Sequence, residues 1–293
     1  MSWASKLAKP YRITDGDKFR LKDFDPQDTG HFRSEQHAKE LLKKGTDHLA
    51  DLQDKLYAQR NWAVLIILQA LDAAGKDGIV KHVMSGVNPQ GCQVYSFKSP
   101  SETELDHDFM WRCYWRLPER GRIGIFNRSY YEEVLVVRVH PPLLAAERIP
   151  QQLMAEDIWK ERYHDIRSFE SAWARNGIVV RKFFLHLSRK EQKRRFLARL
   201  DEPGKNWKFS ASDVREREYW DDYQHAYEQM IQNTSSKHAP WFVVPADNKW
   251  YTRLVVAAAI VDTLEDLKLD YPKVDAVERK QLAAARKQLE SAK

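Results

Sequence analysis

The stretch that decides the fold is WAVLIILQALDAAGKDG, residues 62–78. Its first part, Trp62 to Gln69, is a nearly unbroken apolar run, which is short for a helix and typical of a central strand buried on both faces of a parallel sheet. A turn of small residues follows, it ends in Gly75-Lys76, and a helical pattern comes next. A buried strand, a small-residue turn and a helix in this order predict a phosphate-binding loop.

Small residues let the backbone N–H groups of such a loop surround an anion, and the helix adds the positive end of its dipole. The standard pattern, G-x-x-x-x-G-K-[ST], is broken twice, because Ala70 replaces the first glycine and Asp77 replaces the magnesium-binding hydroxyl residue. We therefore expect Asp72 to provide a carboxylate for the metal, and Lys76 to reach the outer phosphates. A helix start that Asp and Gly merely cap is the alternative. The predicted phosphate-binding positions are Ala73, Ala74, Gly75, Lys76, Asp77 and Gly78, with Lys81 one turn further on.

Outward from this stretch, apolar runs alternate with helical periodicity. Further strands are predicted at 93–97, 122–126, 178–187 and 241–245. Helices are predicted at 35–60, 75–87, 103–117, 129–139, 150–175, 189–200, 213–232 and 250–267. Five strands that alternate with helices predict a mostly parallel sheet covered on both faces, a three-layer α/β sandwich.

The pattern divides the chain into three parts. Residues 1–35 are polar and rich in turn signals, and they predict an extended arm on the surface. Residues 36–270 form the predicted P-loop domain, with a lid at about 188–212. Residues 271–293 are rich in Ala, Lys, Glu and Gln, and they predict a peripheral helix or a frayed end.

A polar cluster follows the strand at 122–126. Asn127, Arg128 and Ser129 come directly after it, at the end of the sheet where open α/β folds bind ligands. Arg128 can hold phosphate oxygens with two parallel hydrogen bonds. Glu132, one helical turn on, could orient that arginine or help to hold a metal. The same residues would also suit a helix capped by Ser129 with a surface ion pair between Arg128 and Glu132.

Positive charge is concentrated in residues 181–208. This segment has ten basic and three acidic residues and a net charge of +7, whereas the whole chain has +6. The basic residues are Arg181, Lys182, Arg189, Lys190, Lys193, Arg194, Arg195, Arg199, Lys205 and Lys208. Nucleoside monophosphate kinases place an arginine-rich lid here, which closes to exclude water. A solvated helix face is the alternative, but the small number of interleaved acids favours an anion channel.

Composition excludes several classes. The 293 residues are 43% hydrophobic and 31% charged, as in an ordinary globular protein. Two cysteines cannot form a disulfide framework or a four-thiolate zinc site. We see no secretory signal and no apolar run of membrane-spanning length, so we expect a cytoplasmic protein that binds no membrane. Since the charge outside residues 181–208 sums to about zero, we expect no nucleic-acid partner.

Taken together, the motifs resemble the polyphosphate kinase 2 family over residues 10–271. The matching stretches are LQALDAAGKDGIVKHV (68–83), GVNPQG (86–91), IFNRSYYEEVLVVRV (125–139), KFFLHLSRKEQKRRFLARLDEPGKNWKFS (182–210) and APWFVVPADNKWY (239–251). The resemblance implies a thymidylate-kinase-like P-loop fold with a helical lid. It also implies Mg²⁺-dependent, reversible transfer of a terminal phosphoryl group between inorganic polyphosphate and nucleotides, with Mn²⁺ as a second candidate metal.

The resemblance also implies residue roles. The catalytic positions are Asp72, Lys76, Asn127, Arg128 and Glu132, with Asp72 as the metal ligand. Polyphosphate is expected on Lys81, Lys182, Arg189, Lys193, Arg195, Arg199 and Lys208 as well as on the loop. Asn127 stands where diphosphate-specific groups carry Asp, which implies class III and acceptance of both AMP and ADP. Adenine nucleotides are the expected acceptors, guanine nucleotides are a second candidate, and a homo-oligomer is expected.

Two other functions fit the same motifs. An ATP-dependent nucleoside monophosphate kinase would share the loop and the lid but use ATP as its donor. A non-catalytic basic protein could bind a polyanion through the lid alone, with a steep salt dependence.

Overall fold

A computed structural model describes residues 2–32, 34–154 and 158–292. Its centre is a six-stranded sheet in the order β1-β6-β5-β2-β4-β3. Neighbouring strands are parallel, except that β1 pairs antiparallel with β6. The strands are β1 (Arg12–Ile13), β2 (Ala63–Gln69), β3 (Cys92–Ser96), β4 (Ile123–Asn127), β5 (Ile178–His186) and β6 (Trp241–Pro245).

Helices connect these strands and cover both faces. They are α1 (Trp3–Ala8), α2 (Glu35–Gln59), α3 (Lys76–Val83), α4 (Glu102–Leu105), α5 (Trp111–Tyr114), α6 (Val136–Val139), α7 (Pro141–Ala146), α8 (Ile158–Arg175), α9 (Arg189–Asp201), α10 (Ala211–Glu216), α11 (Trp220–Thr234), α12 (Lys249–Asp266) and α13 (Ala276–Ser291). No helix in the part of the chain that the structure describes is long and apolar enough to cross a membrane.

The central strand β2 shows why the protein has three layers. All its residues are buried, and successive side chains point to opposite faces of the sheet. Val64 and Ile66 join a core beneath α1, α2, α3 and α12. Leu65 and Ile67 join a second core, beneath α8 and α11. The predicted α/β sandwich with a mostly parallel sheet is therefore confirmed.

The N-terminal part differs from its prediction. The prediction of five strands is wrong, because β1 adds a sixth along the edge of β6. The extended arm is also wrong in its first part, because Trp3–Ala8 is a helix capped by Ser2 whose Ala4, Leu7 and Ala8 are buried. A six-residue helix and a two-residue strand are too short to leave a recognisable period.

Three predicted helices are broken into shorter pieces. The predicted helix over 213–232 is divided into α10, a 3-10 turn over Arg217–Tyr219, and α11. Residues 103–117 contain only α4 and α5, separated by a turn in which the Asp108 side chain accepts a hydrogen bond from the Met110 backbone N–H. Residues 129–139 begin as a 3-10 helix at Tyr130–Val134 and continue as α6. The predicted helix over 150–175 is helical as α8 from Ile158, and residues 155–157 lie outside the described part. The tail helix α13 is exposed along its length.

Candidate active site

The phosphate loop lies between β2 and α3, as the sequence predicts. Ala73 and Gly75 adopt left-handed backbone conformations, with φ of 67° and 110°. Among the described residues, no atom lies within 4 Å of the position that a Cβ at Gly75 would take. Glycine is therefore favoured here by its left-handed backbone conformation and not by a close contact. Left-handed residues turn successive backbone N–H groups inward, which is the geometry of an anion-binding loop.

Lys76 begins α3 and folds back over the loop. Its Nζ donates a hydrogen bond of 2.7 Å to the carbonyl oxygen of Ala70. Burial lowers the pKa of Lys76, while the nearby carboxylates of Asp72, Glu132 and Asp77 oppose that shift. A lysine held in this way presents a poorly solvated cation to whatever anion enters the loop.

Helix α9 holds the loop from the opposite side. Arg195 NH1 donates to the carbonyl oxygens of Ala73 and Ala74, at 2.9 and 3.0 Å. Its NH2 donates to the carbonyl oxygens of Ala246 and Asp247, and its Nε donates to a carboxylate oxygen of Glu191. These five bonds occupy all five donors of the guanidinium. The prediction that Arg195 binds polyphosphate directly is therefore corrected, because Arg195 positions the loop.

Asp72 and Glu132 flank Arg128. Arg128 NH2 donates to Asp72 Oδ1 at 3.0 Å, and its NH1 lies 3.8 Å from Glu132 Oε2. Burial raises the pKa of Glu132, although Arg128 and Lys76 oppose the shift. With its amide assigned so that both of its polar atoms have a complementary partner, buried Gln69 donates to Glu132 Oε1 at 2.9 Å. The predicted cluster of Asp72, Arg128 and Glu132 is thus assembled, and Gln69 was missed although it is a polar residue at the end of an apolar strand.

Asn127 links the second strand end to the loop. It is the last residue of β4, and its Nδ2 donates to Asp77 Oδ1 at 3.0 Å. The next residue, Arg128, has a left-handed backbone with φ of 64°, and its N–H donates to the Leu68 carbonyl oxygen. Such a conformation is uncommon for a residue with a long side chain, and it turns the Arg128 side chain from the sheet toward the loop.

A cleft of about 450 Å³ opens above the loop, and we call it the phosphate cleft. It is lined by residues 72–78, Asn127 and Arg128, together with the basic residues Arg194, Arg195, Arg199, Lys205, Lys249 and Arg253. Arg199 was predicted as a ligand for polyphosphate, and Arg194 and Lys205 were counted in the basic segment. Lys249 and Arg253 come from α12, and sequence reasoning missed them. The polar turn after the carboxyl end of β6 is the sequence feature that could have indicated these two residues.

A second cavity of about 650 Å³ lies beside the first, and we call it the side pocket. Its wall includes Phe97, Phe109, Leu143 and Ile149, so part of it is apolar and aromatic. Arg128 lines both cavities. Two spaces of different chemistry therefore meet at one guanidinium.

In the side pocket, Arg162 is paired with two carboxyl groups. Arg162 Nε donates to Glu133 Oε1 at 2.7 Å, and its NH2 donates to Glu147 Oε2 at 3.4 Å. Burial, and then a hydrogen bond with Glu133, raise the pKa of Glu147 to about 8. Glu147 is therefore largely protonated near neutral pH, and it adds little negative charge to this pocket.

One predicted ligand for polyphosphate lies in the core. Lys182 is 0% exposed, and its Nζ donates to Glu170 Oε2 and to the Thr234 carbonyl oxygen, both at 2.7 Å. The prediction for Lys182 is wrong because the alternation of β5 directs this side chain inward, where Tyr131 also accepts a hydrogen bond from it. Its charge belongs to a buried ion pair and not to an anion channel.

Three other predicted basic residues lie outside both cavities. Lys81 is exposed on α3, and Arg189 and Lys193 are exposed on α9. The structure does not bring them to the loop. Lys208 ends a 3-10 helix over Pro203–Lys208, and its side chain lies outside the described part.

The loop is not a preformed metal site. Within residues 2–32, 34–154 and 158–292, no group of three or more His, Cys, Asp or Glu side chains is arranged to hold a metal ion. Asp72 offers one carboxylate at the mouth of the phosphate cleft. Mg²⁺ commonly takes one or two carboxylates and completes its shell with phosphate oxygens and water, so this donor set fits it.

A P-loop on a parallel sheet, a lysine over the loop and a basic helix across it define a P-loop phosphotransferase. Residues 32–272 match the family model described as Polyphosphate kinase 2 (PPK2), and the chain belongs to this family. It is therefore a phosphotransferase enzyme, as the sequence predicts.

Curated relatives and a solved structure agree with this assignment. The chain is 53% identical over 282 residues to the ADP-polyphosphate phosphotransferase of Rhodopseudomonas palustris, covering 96% of this chain and 98% of that protein. It is 44% identical over 273 residues to the AMP/ADP-polyphosphate phosphotransferase of Meiothermus ruber, covering 93% and 98%. The crystal structure of polyphosphate kinase 2 from Arthrobacter aurescens TC1 superposes with a TM-score of 0.87 at 40% identity, covering 97% of this chain and 99% of that chain.

Proposed function

We propose that this enzyme transfers the terminal phosphoryl group of inorganic polyphosphate to AMP and to ADP. The observation that carries this proposal is that Arg128 lines both the phosphate cleft and the side pocket. One guanidinium can therefore contact a donor in the first and an acceptor in the second. The names of the two relatives, an ADP-polyphosphate and an AMP/ADP-polyphosphate phosphotransferase, support both acceptors.

The phosphate cleft suits a donor made of phosphates alone. Its walls supply backbone N–H groups, lysines and arginines. Such groups bind phosphate oxygens and offer an adenine base little to stack against or to recognise. This chemistry favours polyphosphate over ATP as the donor.

The side pocket suits the nucleoside part of the acceptor. Aromatic and apolar side chains such as Phe97 and Phe109 bury a base, and paired charges such as Arg162 with Glu133 leave polar atoms for hydrogen bonds. The acceptor phosphate then lies toward Arg128, at the junction with the phosphate cleft.

In the reaction, an oxygen of the acceptor phosphate attacks the terminal phosphorus of the donor. A new P–O bond forms, the P–O bond to the rest of the chain breaks, and the polyphosphate leaves one phosphate shorter. Lys76 and the loop N–H groups stabilise the negative charge of the transferred group, and Arg128 holds the acceptor in line. Asp72 orients Arg128 through their 3.0 Å hydrogen bond.

Mg²⁺, with Mn²⁺ as a second candidate, would be held by Asp72 and by phosphate oxygens. The metal would neutralise charge on the phosphates. Arg128 donates to Oδ1 of Asp72, and Oδ2 accepts no hydrogen bond from another described residue, which supports this assignment.

The acceptance of both AMP and ADP would depend on Asn127. Its neutral amide donates to Asp77, so this position adds no negative charge beside the acceptor phosphates. The transfer is expected to be reversible, since one phosphoanhydride bond replaces another. We still predict that the enzyme is a cytoplasmic homo-oligomer and that it binds no nucleic acid and no membrane.

Donor exchange tests the proposal. The protein is incubated with AMP, Mg²⁺ and long-chain polyphosphate without ATP, and the nucleotides are separated by chromatography. We expect ADP to appear first and ATP after it. Formation of ADP only when ATP replaces polyphosphate would identify a nucleoside monophosphate kinase instead. Binding of polyphosphate without any product would identify a non-catalytic binding protein.

A further inference from the structure

A third cavity, of about 300 Å³, lies between the N-terminal segment and the carboxyl ends of β5 and β6, and we call it the acid pocket. Its acidic residues are Asp23, Asp25 and Asp28, and its aromatic residues include Tyr11 and Phe24. Among the described residues, no lysine or arginine lines it, and none of its lining residues lines the phosphate cleft or the side pocket. In a chain of net charge +6, this cavity has the opposite sign.

The carboxylates of the acid pocket are only partly neutralised. Asp23 forms a salt bridge with Arg20 at 2.9 Å. Asp25 and Asp28 accept hydrogen bonds from uncharged groups, such as the Tyr11 hydroxyl, and within the described part of the chain neither forms a salt bridge. Two negative charges are therefore available to a cationic ligand.

A buried polar group without a partner lines the same pocket. His186, the last residue of β5, is 8% exposed, and its Nδ1 forms no hydrogen bond with another described residue. Burial lowers the pKa of His186 to about 4, although the Phe24 backbone and Asp25 oppose the shift, so the ring is uncharged near pH 7. A neutral imidazole has one acceptor nitrogen, and we assign it to Nδ1. A buried acceptor left unpaired costs free energy, which a ligand that donates a hydrogen bond would recover.

This chemistry suits a small organic cation better than a metal ion. Within the residues that the structure describes, no group of three or more His, Cys, Asp or Glu side chains is arranged to hold a metal. An ammonium group has several N–H donors for carboxylates and for a neutral ring nitrogen. The rings of Tyr11 and Phe24 can attract the cation and cover an apolar body. The volume is at the small end of the range for ligand pockets.

The acid pocket adjoins the turn that supports the phosphate loop. Between Asp25 and Asp28, the Pro26 carbonyl oxygen accepts a hydrogen bond of 3.0 Å from the Asp247 N–H. Arg195, which positions the loop, donates to the Asp247 carbonyl oxygen at 3.0 Å. A ligand bound to the two carboxylates therefore restrains the chain between them, and with it the turn at Asp247.

We propose that the acid pocket binds the ammonium group of a small organic cation and thereby steadies the turn at Asp247. Asp25 and Asp28 bind the charge, and His186 Nδ1 accepts one N–H. The apolar body of the ligand lies against Tyr11 and Phe24. The site does not depend on which donor or acceptor the enzyme uses.

Calorimetric titration with butylammonium tests the proposal. Polyphosphate is left out, because amines bind it directly. Butanol, which lacks the charge, and K⁺, which lacks the apolar body, are the matched probes. We expect saturable binding of butylammonium alone. Absence of that binding, or equal binding of butanol or K⁺, would overturn the proposal.

Asp25→Asn tests the charge of the pocket. The loss of one charge-assisted hydrogen bond should raise Kd for butylammonium about tenfold. Asp51→Asn, on the exposed face of α2, is the control and should keep the wild-type Kd. An unchanged Kd in Asp25→Asn would contradict a role for its carboxylate.

His186→Phe separates a ligand contact from a structural role. It keeps a ring and removes the unpaired nitrogen, so the melting temperature without ligand should be no lower than that of the wild type. The rise in melting temperature that butylammonium causes should be lost. A lower melting temperature with that rise retained would overturn the contact with His186.

Hydrogen exchange tests the link to the turn. In the wild type, exchange of the Asp247 N–H should slow when butylammonium is added, because its acceptor lies between the two carboxylates that bind the ligand. An unchanged exchange rate at saturating butylammonium would contradict the steadying of this turn.

Discussion

The phosphate cleft and the side pocket share Arg128 and differ in how their charges are balanced. In the side pocket, Arg162 is bound to two carboxyl groups, and Arg148 pairs with Glu102 and Asp106. In the cleft, Arg194, Arg195 and Lys205 are also paired with carboxylates, but Lys249 and Arg253 have no ion pair with another described residue. The difference teaches that a polyanion requires uncompensated charge, whereas a nucleoside requires shape and internally balanced polar groups.

The largest effect is expected from Asp72→Asn. This change keeps the shape but removes the charge that orients Arg128 and the proposed metal ligand, so transfer should fall about 10³-fold. Binding of polyphosphate should persist, because the cations of the cleft are unchanged. Initial rates and equilibrium binding of polyphosphate are the two measurements.

Asp51→Asn is the matched control for that change. Asp51 is exposed on α2, so this variant should keep wild-type rates. Full transfer activity in Asp72→Asn would show that the carboxylate has no role, and loss of polyphosphate binding would place Asp72 in the donor site.

The second prediction concerns Lys182, which belongs to neither cavity. Lys182→Met leaves Glu170 buried without its cation, and it should lower the free energy of unfolding by about 3–5 kcal/mol. Urea unfolding measures the change, with the exposed Lys190→Met as the control. Unchanged stability together with a raised KM for polyphosphate would contradict this role and would indicate that Lys182 binds the donor.

Arg128→Lys tests the junction between the two cavities. Lysine cannot reach Asp72 and Glu132 with a planar pair of donors, so kcat/KM should fall about 10²-fold. The loss should affect AMP and polyphosphate alike, because Arg128 lines both cavities. In contrast Arg148→Lys, within the side pocket alone, should leave KM for polyphosphate unchanged. An effect of Arg128→Lys on one substrate only would contradict a role for Arg128 in both cavities.

The smallest effect is a dependence of stability on pH in the side pocket. The pKa of Glu147 rises from about 4.5 to about 8 on folding, so the folded state binds the proton more tightly. This contribution to stability is complete below about pH 4.5 and is lost as pH rises through about 8. Between about pH 6 and about pH 8, the urea-unfolding midpoint of Glu147→Gln should therefore change less with pH than the midpoint of the wild type. The exposed Glu161→Gln should keep the wild-type slope, and an equal slope in Glu147→Gln would contradict the raised pKa of Glu147.

Much of the fold could be predicted because its central elements carry strong local patterns. The apolar run of β2 and the small-residue turn after it predict the strand, the loop and the helix in their observed places. Short elements were not predicted because they carry too little local pattern. The strand β1 has two residues, and it is held by its pairing with β6. The prediction of one helix over 103–117 was wrong because local turn contacts, such as the hydrogen bond from the Met110 N–H to Asp108, interrupt a segment of helical composition.

The site could be predicted where function coincides with a strand end. Asp72 and Lys76 lie in the loop after β2 and at the start of α3, Asn127 ends β4 and Arg128 follows it, and the structure brings them together. Charge counting was less reliable, because it cannot tell the inward residues of β5 or a fully bonded guanidinium from free cations. Long-range packing of α12 against α3 brings Lys249 and Arg253 to the loop, and no local pattern records that contact.

The most direct test of the central claim is a matrix of initial rates over AMP and polyphosphate concentrations. If donor and acceptor occupy separate cavities at once and meet at Arg128, double-reciprocal plots should intersect, as for direct transfer in a ternary complex. Parallel lines would indicate a phosphorylated enzyme intermediate. Such lines would contradict simultaneous occupation of the two cavities.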